Sequence, residues 1–199
     1  MVDTTAQSIF ADIQAKAFRK GYRQGSREAS EWFFDNIRRR KYNRNELLTD
    51  SATKKASNPI IGSMYFFRYD PKHKDTLPYY DTFPLIFMVG PAKGGFYGIN
   101  LHYLNPKLRM ELFAELLALA NKKNLTDSTR LKMNYQLLNG VKKFKAFEPC
   151  FKHYLGKHVA SSFTQVKAPE WEIAALLPVQ QFKKASNSTV WAESRKRAR

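Results

Sequence analysis

Cysteine is almost missing from this chain. Cys150 stands alone among 199 residues, which excludes an intrachain disulfide and fits a reducing compartment. Acidic residues are scarce as well: 17 Asp+Glu face 34 Lys+Arg, for a formal net charge of +17. No stretch approaches the roughly 20 apolar residues of a membrane span. Met1–Phe10 is polar and lacks the continuous apolar run of a secretory signal, so the chain is expected to act in a cytoplasm or in assemblies built there. A nucleophile elbow, a phosphate-binding glycine loop and paired-cysteine zinc spacing are all lacking, which removes the common motif-borne enzyme classes. No internal repeat or low-complexity tract is visible.

What the chain does have is apolar and aromatic matter, 43% and 14% of residues, enough to bury a packed core against the entropy of ordering. The charge is not spread evenly. Residues 1–57 carry +5 and residues 105–158 carry +7, whereas residues 58–104 carry only +1. A near-neutral centre with cationic flanks needs a negative partner to relieve its self-repulsion. Nucleic acid is the commonest such partner, followed by acidic protein surfaces and then anionic lipid.

Periodicity gives the elements. Ile9, Ile13 and Ala17, then Ala29, Phe33 and Ile37, recur at helical spacing and predict a long N-terminal helix from about Thr5 to Arg40, weakened at Gly21 and Gly25. The polar stretch from Lys41 to Asn58 reads as a linker. Met64 to Tyr69, Pro84 to Val89 and Phe96 to Leu101 read as three strands joined by Gly/Pro turns, which implies a small curled antiparallel sheet or an SH3-like barrel. After Asn105-Pro106 the period turns helical, with Leu108, Leu112, Leu116 and Leu119 forming one stripe. A second helix is expected from about Thr126 to Gly140 and a third from about Pro149 to Leu155. Val159 to Val166 suggests a strand, Trp171 to Leu177 is an apolar run that halts at Pro178, and a closing helix begins near Ser188. The fold class is therefore α+β, with flanking helices and a long N-terminal one. The domains read as a helical arm and linker over residues 1–58, a core over 59–187, and a C-terminal helix with a basic tail over 188–199.

Few residues offer chemistry. Gly94, Gly95 and Gly98 lack the Lys-Ser/Thr of a phosphate loop and read as a hairpin turn. Cys150, His153 and His158 are too few for a tetrahedral metal site, so a buried thiol beside surface histidines is the better reading. His73 sits in a lysine-rich turn. His102, within the apolar strand region, is a hydrogen-bonded core histidine before it is a general base. Asp70, Asp75 and Asp81 fall in turns that Asx-type capping explains. No catalytic residue, metal ligand or cofactor is assigned. The strongest signal is cationic: Lys16, Lys20, Arg23 and Arg27 at helical spacing; Arg38, Arg39 and Arg40 in a run; Lys142, Lys143 and Lys145 in a loop; Arg195 and Arg197 at the end. These suit contacts to phosphates or to an acidic partner. Trp171 and Trp191 are expected to anchor the C-terminal elements on the core.

The order of residues from Gly62 to Leu104 is distinctive. "GSMYFFRYDPKHKDTLPYYDTFPLIFMV" followed by "GGFYGINLHYL", then "DSTRLKMNYQLLNG", "PCFKHYL", "PEWEIAALLPVQQFKKAS" and "VWAESRK", is similar to a family of small virion-associated proteins of T-even-like tailed bacteriophages. The likeness covers most of the chain after residue 59. It implies a protein of the virion, assembled in the host cytoplasm in multiple copies with other phage subunits, without membrane, and carries no catalytic residues with it. The expected function is a non-enzymatic structural component of neck, tail or baseplate whose basic surfaces meet DNA or acidic subunits. The alternative is a DNA-end-binding protector that grips double-stranded DNA. A metal-dependent nuclease ranks third, since such enzymes cluster carboxylates and those here are scattered.

Overall fold

In the computed structural model, which describes residues 8–23, 26–50, 53–120, 135–136, 138–140 and 145–197, an antiparallel sheet forms the centre and helices cover it. The N-terminal segment folds as two helices, α1 (Ile9–Arg19) and α2 (Arg27–Asn36), and not as the single long helix expected. The break has a local cause. Gly21 takes a left-handed conformation at φ +82°, which ends α1. The Ser26 hydroxyl then accepts the Ala29 N–H at 3.1 Å and starts a new helix, as Ser8 does for α1 through Ala11. The expected 41–58 linker holds a short helix, α3 (Arg44–Thr49), capped by Asn43, and a strand, β1 (Lys54–Ala56).

The strands β2 (Met64–Phe66), β4 (Leu85–Ala92), β5 (Gly95–Asn100), β6 (Phe151–Leu155) and β7 (Phe163–Val166) join β1 in one six-stranded sheet ordered β1-β7-β2-β4-β5-β6. Every pairing in it is antiparallel. A small second sheet pairs β3 (Tyr80–Asp81) with β8 (Phe182–Lys183). The larger sheet is curled but does not close, so the barrel alternative is not what forms. Side chains of β2 and β4 alternate between two buried clusters. Met64, Phe66, Leu85, Phe87 and Val89 face the helices, while Tyr65, Phe67, Ile86 and Met88 face an aromatic layer with Phe96, Tyr154 and Phe163. The curl brings Phe67 and Tyr69, just past β2, against Tyr154 of β6, with ring centroids 5.3 and 4.9 Å apart. That is why both strands read as continuous apolar runs: neither has a wet face.

The segment expected to be a third helix, Pro149 to Leu155, is instead a 3-10 turn (Lys145–Cys150) running into β6. Cross-strand pairing with β5 overrides a helical reading of seven residues, a length at which either period fits. Further helices are α4 (Pro106–Ala120), α5 (Trp171–Leu176) and α6 (Asn187–Arg197), and the described residues 135–136 and 138–140 are helical too. Most of the helix expected over Thr126 to Gly140 lies outside the described residues. The helices α1 and α2 pack on each other and on α5, and Phe10, Ile13, Phe33 and Ile37 belong to the same core cluster as the sheet. Trp171 and Trp191 anchor as expected. Trp171 donates to Val166 O at 3.0 Å and sets its ring edge-on to Phe87, while Trp191 donates to His102 O at 2.8 Å.

One glycine is demanded by space. A Cβ on Gly95 would lie 1.8 Å from the Tyr154 carbonyl oxygen, where β5 and β6 approach. Gly95→Ala is expected to cost about 2 kcal/mol or more, because backbone rather than a flexible side chain must move. Chemical denaturation measures it; an unchanged midpoint would refute the close approach.

Candidate nucleic-acid interface and the buried polar centre

The basic residues singled out from sequence divide into groups. Lys16 is spent on Asp12 at 2.5 Å, Arg27 on Glu31 at 2.8 Å, and the Arg38 guanidinium lies over the Phe34 ring at 4.1 Å. Lys20, Arg23, Arg39, Arg40 and Arg195 are exposed and hold no acidic partner among the described residues. Lys20, Arg23 and Arg27 gather at the α1–α2 connection, and Arg38, Arg39 and Arg40 at the far end of α2, about 15 Å away for a helix of that length. Arg195 lies on α6, which packs on the 3-10 turns Leu101–Tyr103 and Lys145–Cys150. Lys142 and Lys143 fall outside the described residues, as do the side chains of Lys145 and Arg197.

The interior holds a polar centre of which the sequence showed only fragments. Asp81, on β3, is buried and accepts four hydrogen bonds. Oδ1 takes Phe83 N–H at 3.0 Å and Gln181 N–H at 3.2 Å. Oδ2 takes Asn100 Nδ2 at 3.2 Å and His102 Nδ1 at 2.7 Å. Asn100 also donates to the Tyr154 hydroxyl at 3.0 Å and accepts the His102 N–H at 3.0 Å. Arg109, at the start of α4 and fully buried, spreads its guanidinium over three backbone carbonyls: Leu104 at 2.8 Å, Ala175 at 2.8 Å and His102 at 3.3 Å. Trp191 stacks on it, 5.5 Å from ring centre to guanidinium.

Charge in this centre follows from burial. His102 is held below the ordinary histidine value by burial first, with Arg109 and Arg44 adding to the effect and Asp81 opposing it. It is a neutral ring donating from Nδ1. Burial alone would raise Asp81, but His102 and the donors Phe83 N–H and Asn100 outweigh it and hold the carboxyl below its usual value. Burial lowers Arg109 to about 10, so it stays cationic at neutral pH. Cys150 is buried and pushed up to about 12 by burial, an unreactive thiol, while His153 stands exposed on β6. Among the described residues no three His, Cys, Asp or Glu gather as a metal set.

The neutral His102 makes stability depend on pH. Its folded value is depressed, so below about pH 6.5 the unfolded chain takes up a proton that the folded chain refuses, and stability falls as pH falls. For this one group the slope is up to about 1.4 kcal/mol per pH unit. Melting curves from pH 8 to pH 5 should show the decline, and His102→Gln should flatten it. An equally steep decline in the variant would assign it elsewhere.

A cleft of about 350 Å³ opens between the loop that precedes β3 and strand β6, with Asp81 and Tyr154 in its wall. No expectation from sequence pointed to it. Lys72 belongs to the lysine-rich turn around His73 and Lys152 to the segment expected to be a helix, and the two meet only because β6 is a strand.

Residues 8–194 match the model of a family described as the phage T4 terminal DNA protecting protein. The chain belongs to that family. No curated protein and no solved structure matches it. Membership in the terminal DNA protecting family upholds the kinship with T4-like phages read from the motifs. It overturns the expectation of a structural neck, tail or baseplate component, because the family's description is of a protector of DNA ends, the reading ranked second. The reason for the misranking is physical. An excess of exposed cations serves an acidic neighbouring subunit or a phosphate backbone equally well, and composition does not separate the two.

Proposed function

We propose that this protein binds the ends of double-stranded DNA and shields them from degradation, by occupancy and not by catalysis. The observation that carries this reading is the family match across residues 8–194. The formal charge of +17 supports it, as do the exposed cations Lys20, Arg23, Arg39, Arg40 and Arg195, which hold no acidic partner among the described residues. Lys16, Arg27, Arg38, Lys142, Lys143, Lys145 and Arg197 are further basic residues in the sequence, of which Lys16 and Arg27 are paired with Asp12 and Glu31. The non-enzymatic part rests on the polar centre: both oxygens of Asp81 are committed to structural donors and its histidine partner is sealed from solvent. In this reading the protein travels in the virion with the DNA it guards.

Binding of a linear duplex should weaken steeply with salt. If the five exposed cations each neutralise one phosphate, the log–log slope is about −4.5, and affinity drops about 500-fold between 50 and 200 mM salt. The protein should also slow an exonuclease on open-ended duplex while leaving an endonuclease unhindered on a closed circle. Equal inhibition of both enzymes, or none, would overturn the reading. Chelator-sensitive DNA cleavage by the protein itself would restore the nuclease alternative. Mass spectrometry of purified particles tests the virion location, and absence from them ends that part.

A further inference from the structure

We infer that the cleft beside β3 is a pocket for a single unstacked nucleotide, the terminal nucleotide of a DNA end. This deepens the proposed function and rests on it. The cleft has about 350 Å³, within the roughly 300–1,000 Å³ of small-ligand sites. Its lining is of two kinds. Lys72 and His73 on the loop and Lys152 on β6 bring cationic and hydrogen-bonding groups to it from both sides, while Tyr79 and Tyr80 supply rings. Cation and aromatic face together are what a phosphate and a base require.

The walls are prepared in advance. Tyr79 packs against Tyr103 and Phe182 at 5.9 and 6.4 Å, and its hydroxyl is held by Glu193. Tyr80, half-buried, makes no ring contact among the described residues and offers a face for stacking. The Lys152 ammonium stands over the Tyr103 ring at 4.0 Å, so its charge is fixed at the cleft. Lys184 bonds the carbonyls of Asp75 and Leu77 at 2.8 and 3.2 Å and holds the loop in place. Of the neighbouring acids, Asp70 pairs with Lys74 at 3.1 Å, Glu193 holds Tyr79, and Asp81 is saturated from behind. Asp75 stands exposed on the loop outside the lining, whose charged side chains are Lys72, Lys152 and the saturated Asp81.

Such a pocket would give a cationic protein a preference for ends. An internal stretch of duplex presents phosphates but no free base, whereas a frayed or single-stranded terminus presents both. The test uses the full-length protein and two duplexes of one sequence. One is closed by hairpin loops at both ends; the other has one open, 5′-phosphorylated end with a short single-stranded extension. Wild type should bind the open duplex about tenfold more tightly. K72A/K152A and Tyr80→Ala should reduce the preference to about twofold while binding of the closed duplex stays within about threefold, and Tyr80→Phe should keep it. Lys72→Ala alone, on an exposed loop, serves if the double variant melts early, and should lose part of the preference. If wild type prefers the open end and all these variants keep that preference, the pocket is refuted and end binding stands. If wild type shows no preference, the end-binding reading itself fails and the pocket's role with it.

Discussion

Asp81→Ala should lower the melting temperature by about 10 °C. The carboxylate is buried beside His102 and satisfies four donors. Its removal leaves the Phe83 and Gln181 amides, one Asn100 proton and His102 Nδ1 without their acceptor. Breaking a buried, hydrogen-bonded charge site costs about 3–5 kcal/mol, and a chain of this size loses roughly 2–4 °C per kcal/mol. The magnitude discriminates between two roles. An Asx-type turn cap, the role read from sequence, would cost only about 1 kcal/mol. The cap exists, since Asp81 does accept the N–H two residues on. It is the smaller part of what the residue does. Asp81→Asn keeps the shape but turns an acceptor oxygen into a donor, so an intermediate loss is expected. A variant melting within about 3 °C of wild type would show that the network is dispensable.

Arg109→Leu is expected to cost a comparable amount, about 3–5 kcal/mol. Three carbonyls from two segments, His102 and Leu104 on one and Ala175 on the other, converge on this guanidinium, and its charge is the interior counterpart of Asp81. Leucine fills part of the volume but leaves the carbonyls of Leu104 and Ala175 without this donor and removes a buried positive charge that interacts with Asp81. Arg109→Lys separates the two effects, because lysine keeps the charge but lacks the planar fork that spans several acceptors. If the lysine variant equals wild type, charge alone suffices; if it resembles leucine, geometry decides. Urea denaturation of both variants reads this directly. A leucine variant as stable as wild type would refute the bridging role.

The two centres explain why some elements were legible and others were not. The strand over Pro84 to Val89 and the helix after Asn105-Pro106 carry their own signals, an unbroken apolar run and a capped helical stripe, so sequence finds them. The split between α1 and α2 was signalled by Gly21 and Gly25, but apolar spacing continues across the break and suggests one helix. The strand β6 was misread because its residues satisfy either period, and only pairing with β5 selects the extended form. His102 drew notice as a core histidine and is one. Its partner Asp81, 21 residues earlier, and Arg109, which reaches Ala175 from 66 residues away, are joined by no local pattern. The cleft depends on the same long-range closure. Lys72 and Lys152 are separated by most of the sheet along the chain, and folding sets them at one mouth.

By itself the sequence determined what depends on amounts and on neighbours: a basic chain with an aromatic, near-neutral centre, an α+β layering of the apolar runs, the anchoring tryptophans and the motif-borne kinship with T4-like phages. The tertiary structure alone decided which cations keep an internal counter-charge, which acids are sealed inside, and that tyrosines and lysines from distant segments share one cleft. The physical reason is that burial and charge compensation are properties of contacts between remote residues. A linear pattern records the residues that make them and not the meeting itself.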